Sequence, residues 1–201
     1  MDLFDHQVIP LELTPDRQAT ITFWPNWLSA KDADSLLCKA VDNIDWRADI
    51  IRIVGKQIPI PRLQQWFGQP GTSYTYSNIC MQAVAFPDWI DDLRESVEEH
   101  TGAAFNRALV NYYRDGSDSV DWHADNEPEL GVEPVIASLS LGVERVFQLR
   151  HTLTKQRISI PLPHGSLLLM GGGIQSYWHH RIAKVANLSE ARVNFTFRYM
   201  G

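Results

Sequence analysis

"RVNFTFRYM", Arg192–Met200, is the stretch on which the fold turns. Its alternation is complete: Val193, Phe195, Phe197 and Tyr199 point one way, and Arg192, Asn194, Thr196 and Arg198 the other, which is a strand. A strand of this kind usually turns its polar face to water. Here that face carries two arginines at its ends, and each guanidinium can hold a carboxylate in a two-point fork, so together they make a cradle for a dianion. "NYY", Asn111–Tyr113, offers Asn111 and Tyr113 on one face of another strand as further donors. A polar face buried in this way needs a polar occupant.

Working outward, the chain after Gly102 is a series of short β-rich segments separated by turn residues: "ALVNYYR", "VIASLSLG", "RVFQLRH", "RISIPL", "GSLLLMG" and "SYWHHRI". Strands of this spacing make an antiparallel sandwich or barrel. Before Gly102 the texture differs. "TITFWPNWL" reads as a short strand leading into a helix that begins near Ser29, where Ser29 and Asp32 have capping-box spacing and Leu36, Leu37, Ala40, Val41 and Ile44 form the apolar stripe. "ADIIRIVGKQIPIPR" reads as two strands around Gly55 and Lys56, and "PDWIDDLRESVEEHTG" as a second helix stopped by Gly102. The fold class is therefore α+β, mainly β. One domain over 1–201 is expected, with helices and hairpins in about 1–102 and the β core in about 103–201.

Composition excludes several classes. With 201 residues, 44% apolar and 21% charged, the chain has the make-up of an ordinary soluble domain. No apolar run approaches a membrane span, the N-terminus lacks a secretory pattern, and two cysteines make neither a disulfide framework nor a metal spacing. An intracellular, cytoplasmic protein that is monomeric and makes no membrane contact is expected. A net charge of −6 argues against gripping nucleic acid by bulk charge. Locally, Arg47, Arg52, Lys56 and Arg62 stand against Asp49 alone, either a phosphate-facing edge or a solvated strand face.

"DWHAD", Asp121–Asp125, lies between two turn-rich stretches. In His123-Ala124-Asp125 the spacing puts imidazole and carboxylate on one side of an extended segment. With a second His from a distant strand they would form a facial triad for Fe(II) that leaves coordination positions open. His151, His164, His179 and His180 are the candidates. His164 sits in the turn "PLPHGS" and suits a structural role. Of the adjacent pair in "SYWHHRI" only one can face a pocket, Trp178 and His180 sharing a face.

Taken together, His123-x-Asp125, the later His180 and "RVNFTFR" close behind it resemble the AlkB family of Fe(II)/2-oxoglutarate-dependent dioxygenases. The resemblance runs from about Trp46 to the C-terminus and is densest from Asn111 onward, with "NYYRDGSDSVDWHADNEPEL", "PVIASLSLG", "HGSLLLMGG" and "WHHRIA" in family order. It implies a double-stranded β-helix, or jelly roll, with a nucleotide-recognition hairpin region ahead of it. It implies iron on His123, Asp125 and His180. It implies 2-oxoglutarate held by Asn111, Tyr113, Arg192, Asn194, Thr196 and Arg198, with Arg192 favoured for the distal carboxylate and Arg198 for the end nearer the metal. Glu127 matches a carboxylate that reads the exocyclic amine of a damaged base, or is a solvated loop acid. Tyr74 and Tyr76 match aromatics of the base pocket, where a cationic methylated base would be attracted to their faces, and Arg62 matches a position near the DNA. The implied activity is oxidative demethylation of N-methylated bases such as 1-methyladenine and 3-methylcytosine in DNA. It uses Fe(II), 2-oxoglutarate and O2, and releases formaldehyde and succinate.

Two departures bear on substrate form. The position of the bulky wedge in duplex-repairing relatives matches Val54, a smaller apolar side chain, and the basic run after the distal His is thin in "RIAKVAN". Both favour single-stranded DNA, or RNA, over duplex. Two other readings stay open: an oxygenase of the same fold acting on protein or lipid, and a non-catalytic β-sandwich that binds nucleic acid.

Overall fold

The computed structural model describes residues 5–53, 56–76 and 79–201. The chain opens on a hairpin, β1 (Gln7–Thr14) and β2 (Arg17–Trp24). Leu11, Leu13, Ile21 and Phe23 alternate into the core while Glu12, Gln18 and Thr20 face out. Only the end of β2 was foreseen from "TITFW"; the period-two pattern on both sides of Pro15-Asp16 carried the rest of the signal. Helix α1 (Ala30–Asn43) starts where the capping pattern put it: the Ser29 hydroxyl accepts a hydrogen bond from the Asp32 N–H (3.2 Å) and donates to the Asp32 carboxylate (2.6 Å).

Two small hairpins follow, β3 (Ile50–Ile53) with β4 (Lys56–Pro59) and, after β5 (Leu63–Phe67), β6 (Ser73–Tyr76) with β7 (Ile79–Gln82). Val54 lies outside the described residues. Tyr74 and Tyr76 are described as backbone of β6 only, so their side chains lie outside as well. Helix α2 (Asp88–Thr101) ends on Gly102 in the left-handed region, φ 70°, a conformation in which glycine has no Cβ to clash.

The remainder is strand: β8 (Arg107–Tyr113), β9 (Val120–His123), β10 (Ile136–Gly142), β11 (Arg145–His151), β12 (Arg157–Leu162), β13 (Ser166–Met170), β14 (Trp178–Ile182), preceded by a one-turn helix α3 (Ile174–Tyr177), and β15 (Arg192–Arg198). They form a seven-stranded sheet in the order β1-β2-β13-β10-β15-β8-β5 and a four-stranded sheet in the order β12-β11-β14-β9. Every named strand pairing is antiparallel, as a jelly roll requires. The large sheet takes β1, β2 and β5 from the half of the chain expected to hold helices and hairpins.

β15 is central to that sheet, hydrogen-bonded to β10 on one side and β8 on the other. Val193, Phe195 and Phe197 are fully buried in the cluster that includes Ala33 and Ala40 of α1 and Ile90, Leu93 and Val97 of α2. Each such side chain contributes about 1.5–3 kcal/mol by leaving water. The opposite face is buried too: all seven residues of β15 are. Tyr199, read as continuing the apolar face, lies past the end of the strand and is exposed. The polar face is therefore not in water; it looks into the space between the two sheets.

Candidate active site

Strand register assembles the first half of the site. β9 pairs with β14 so that His123 sits opposite His180, their ring centroids 4.2 Å apart. This pairing selects His180 from the adjacent pair; His179 projects to the other side of β14. Asp125 follows two residues beyond β9. Its backbone N–H donates to Gln175 Oε1 (3.0 Å) and its carboxylate accepts from Arg198 Nη2 (2.8 Å). His123 Nε2 lies 3.9 Å from Asp125 Oδ1 and His180 Nε2 4.0 Å from Asp125 Oδ2. One donor atom from each of the three lies within 4.8 Å of the others.

The donor set fits a divalent metal. His123 Nδ1 is 2.7 Å from the Asp121 carbonyl; with the ring proton on Nδ1, the Nε2 lone pair is left for coordination, a familiar way of fixing a ligating imidazole. Asp125 Oδ1 is buried with no hydrogen-bond partner among the described residues, a costly arrangement unless a cation satisfies it. Burial by itself would raise the Asp125 pKa, but Arg198, then His180 and His123, outweigh it and hold the carboxyl well below its usual range. Burial first, then the His123 charge, pushes His180 down to about 3. Burial lowers His123 as well. The triad is thus two neutral imidazoles and one carboxylate at neutral pH, the state in which each can bind metal.

The second half is the polar face of β15. Arg192 is fully buried; its Nη2 donates to Ser140 Oγ (2.9 Å), its guanidinium lies over the Tyr113 ring (5.1 Å), and Nε and Nη1 have no hydrogen-bond partner among the described residues. Burial pushes its pKa down to about 10, Tyr113 opposing the shift, so the side chain stays charged at neutral pH. Asn194 Nδ2 donates to Ser138 Oγ (2.9 Å) and the Leu139 carbonyl (2.8 Å), and its Oδ1 accepts from Thr196 (3.0 Å). Asn111, Tyr113, Arg192, Asn194, Thr196 and Arg198 all line one cavity with His123, Asp125 and His180. That cavity measures about 540 Å³ with its open mouth included. Its depth combines buried guanidinium donors with a metal-ready triad, an arrangement suited to a small dicarboxylate spanning the two.

Arg62 also lines the cavity but is 5% exposed: Nε donates to Asn111 Oδ1 (2.9 Å) and Nη1 to the Ser119 carbonyl (3.4 Å). It is a wall residue of the cavity, tied to Asn111, rather than part of a solvent-facing basic edge. Arg47 in the same stretch pairs with Asp49 (3.0 Å). Glu127 stands just ahead of the short helical turn Pro128–Leu130, its side chain making no capping hydrogen bond there, and does not line the cavity. Two other histidines, His164 and His151, have structural tasks. His164 Nδ1 accepts from the Gly142 N–H (2.8 Å), and His151 Nδ1 accepts from Leu153 and Thr154 N–H groups.

Several contributors escaped the sequence reading. Ser138 and Ser140 alternate with Ala137, Leu139 and Leu141 on β10, opposite Thr196 and Asn194, so "IASLSLG" did carry a period-two signal. Gln175, 2% exposed and bonded to the Asp125 backbone, sits on a single helical turn with no pattern to mark it. Arg145, fully buried, donates to the Asp118 and Ala183 carbonyls (2.9 and 2.6 Å). It is the first residue of a strand and looks, in the sequence, like a surface charge.

Residues 20–198 match the model of the 2OG-Fe(II) oxygenase superfamily. The chain is 38% identical over 203 residues to the rat alpha-ketoglutarate-dependent dioxygenase alkB homolog 3, covering 95% of this chain and 68% of that one. It is 33% identical over 156 residues to the human DNA oxidative demethylase ALKBH2, covering 74% and 60%. The solved structure of OsALKBH1 superposes with a TM-score of 0.63 at 16% identity, over 89% of this chain and 97% of that chain, a likeness of fold. No helix of the described residues is long and apolar enough to cross a membrane.

Proposed function

The chain belongs to the AlkB family of the 2OG-Fe(II) oxygenase superfamily, and on that premise we propose that it demethylates N-alkylated nucleobases, in DNA first and RNA second. It is an Fe(II)/2-oxoglutarate-dependent dioxygenase. The observation that carries the proposal is one cavity in which the His123–Asp125–His180 triad faces the buried polar side of β15. Together Fe(II), 2-oxoglutarate and O2 would supply the oxidation of an N-methyl C–H bond, with 2-oxoglutarate lost as succinate and carbon dioxide and the methyl carbon released from the base as formaldehyde.

The chain's own residues do the rest. His123, Asp125 and His180 hold iron through groups already in the binding-competent protonation state. Arg192, with Tyr113 beside it, receives the distal carboxylate in its two unused donor positions. Arg198 lies at the metal end, where its bond to Asp125 also steers that ligand. Asn111, Asn194 and Thr196 complete the wall. Phe147, Leu162 and Ile182 line the same cavity and exclude water from the reacting centre.

On the substrate side, Tyr74 and Tyr76 would stack on the extruded base, and Arg62 would link base entry to the pocket through Asn111, whereas Glu127, outside the cavity lining, takes no part in this reading. Val54 in the wedge position and the net charge of −6 favour single strands, where no gap has to be filled. The protein acts as a monomer in this reading. The test is anaerobic reconstitution with Fe(II) and 2-oxoglutarate, then O2 and a single-stranded oligonucleotide carrying 1-methyladenine, followed by mass spectrometry. Loss of the methyl group with matching succinate is expected. Succinate without demethylation would point to a protein or lipid substrate.

A further inference from the structure

Arg145 is buried at the Arg192 end of the molecule, yet it does not line the cavity and has no part in the iron site. It opens β11, where alternation turns it inward with Phe147, Leu149 and His151. Its guanidinium donates to the Asp118 and Asp115 carbonyls (2.9 and 3.3 Å), in the loop between β8 and β9, and to the Ala183 carbonyl (2.6 Å) just past β14. The guanidinium carbon also lies 5.7 Å from the centre of the Tyr113 ring, over which Arg192 stands at 5.1 Å. One phenol ring thus shares two buried guanidiniums, Arg145 from the small sheet and Arg192 from the large one.

A clamp between two loops would account for the three carbonyl bonds. The loops, however, hold each other without it. Gly116 N–H donates to the Leu188 carbonyl and Val185 N–H to the Gly116 carbonyl, both at 2.8 Å. The backbones are so close that a Cβ on Gly116 would meet the Val185 carbonyl oxygen at 2.0 Å. What a guanidinium adds to such a clamp is a permanent charge, since arginine keeps its proton in proteins. That charge reaches the polar wall: burial is the first cause that lowers the Arg192 pKa, and the charge of Arg145 adds to it. A carboxylate arriving at Arg192 is attracted by both cations, and their mutual repulsion is relieved when it binds.

We propose that Arg145 is a positioning residue for the co-substrate. Acting through Tyr113 and Arg192, it sets the ring against the Arg192 guanidinium and places a second positive charge behind the pocket for the distal carboxylate. The site thereby selects a doubly charged 2-oxo acid over a singly charged one of the same length. The proposal rests on the reading above in which Arg192 receives the distal carboxylate. It gives a buried charge that makes no contact with the cavity a task in what the cavity admits.

The test compares 2-oxoglutarate with 2-oxopentanoate, the same chain with a methyl group in place of the distal carboxylate. Each is titrated by calorimetry into the anaerobic protein loaded with Fe(II), and the ratio of the two dissociation constants reads the distal end alone. A unit charge within about 10 Å, at an effective dielectric of about 20, changes the affinity for a carboxylate roughly tenfold. Arg145→Gln is therefore expected to cut the ratio roughly tenfold, and Arg145→Lys, which keeps the charge, to stay within about threefold of wild type. Gly116→Ala, which pushes the two loops apart and keeps both guanidiniums, should lower the thermal midpoint and leave the ratio unchanged. A wild-type ratio in folded Arg145→Gln would overturn the proposal. So would a ratio that collapses in folded Arg145→Lys or in Gly116→Ala, outcomes that remain decisive where the Gln variant does not fold. A wild-type protein that binds the two acids alike would overturn the reading of Arg192 itself.

Discussion

β15 has two buried faces that do opposite work. Val193, Phe195 and Phe197 fill the space under α1 and α2, where any apolar shape of the right volume would serve. Arg192, Asn194, Thr196 and Arg198 are buried as well, yet they face a cavity, and among the described residues Nε and Nη1 of Arg192 have no hydrogen-bond partner. A buried guanidinium with unused donors is a liability in a protein that binds nothing there. The contrast teaches that one strand can carry the fold on one side and the polar wall of a cavity on the other, and that damage to the two sides should look different.

The largest effect is expected on the apolar side. Phe195→Ala should lower the unfolding free energy by about 3–5 kcal/mol, read by denaturant titration. Residual folded protein should still bind 2-oxoglutarate. On the polar side, Arg192→Met should leave the melting transition nearly unchanged and weaken 2-oxoglutarate binding by about 2 kcal/mol or more, at least roughly thirtyfold, as measured by calorimetry on the iron-loaded protein. If Arg192→Met unfolded the chain as Phe195→Ala does, the distinction between the faces would collapse.

Smaller changes sharpen the comparison at its margins. Gln175→Leu removes the acceptor for the Asp125 N–H and should loosen iron about 10- to 100-fold without touching the dicarboxylate wall, a split that metal-buffer titration would detect. Asp118 lies farther out. Burial alone would raise its pKa, but hydrogen bonds from the Arg114 side chain and backbone outweigh that and lower it. A carboxyl lowered on folding adds stability that is present above its unfolded pKa and lost as pH falls through the folded one. Asp118→Asn should therefore lose less stability than wild type on acidification below about pH 4. Because Arg114 is half exposed, the difference should be about 1 kcal/mol or less.

How much of this could be read in advance follows the same division. The period-two pattern of "RVNFTFR" and the cap at Ser29 gave β15 and α1 directly, because local spacing determines both. The triad was legible because His123-x-Asp125 and His180 stand in a family order, although only the register of β9 with β14 shows why His180 and not His179 faces iron. β1 was missed although its alternation was present. Gln175, Arg145 and the burial of Arg62 had no local signature at all, since each depends on which strands become neighbours across the two sheets.

The most direct test of the account is an anaerobic titration of iron and then 2-oxoglutarate, followed by the visible charge-transfer absorption that appears when the two bind together. Wild type should bind one equivalent of each. His180→Ala should lose the iron, and Arg192→Met should keep the iron but need far more 2-oxoglutarate to develop the absorption. Iron retained at full stoichiometry and affinity in His180→Ala, or an Arg192→Met curve that overlays wild type, would contradict the assignment of metal and dicarboxylate to the two walls of this cavity.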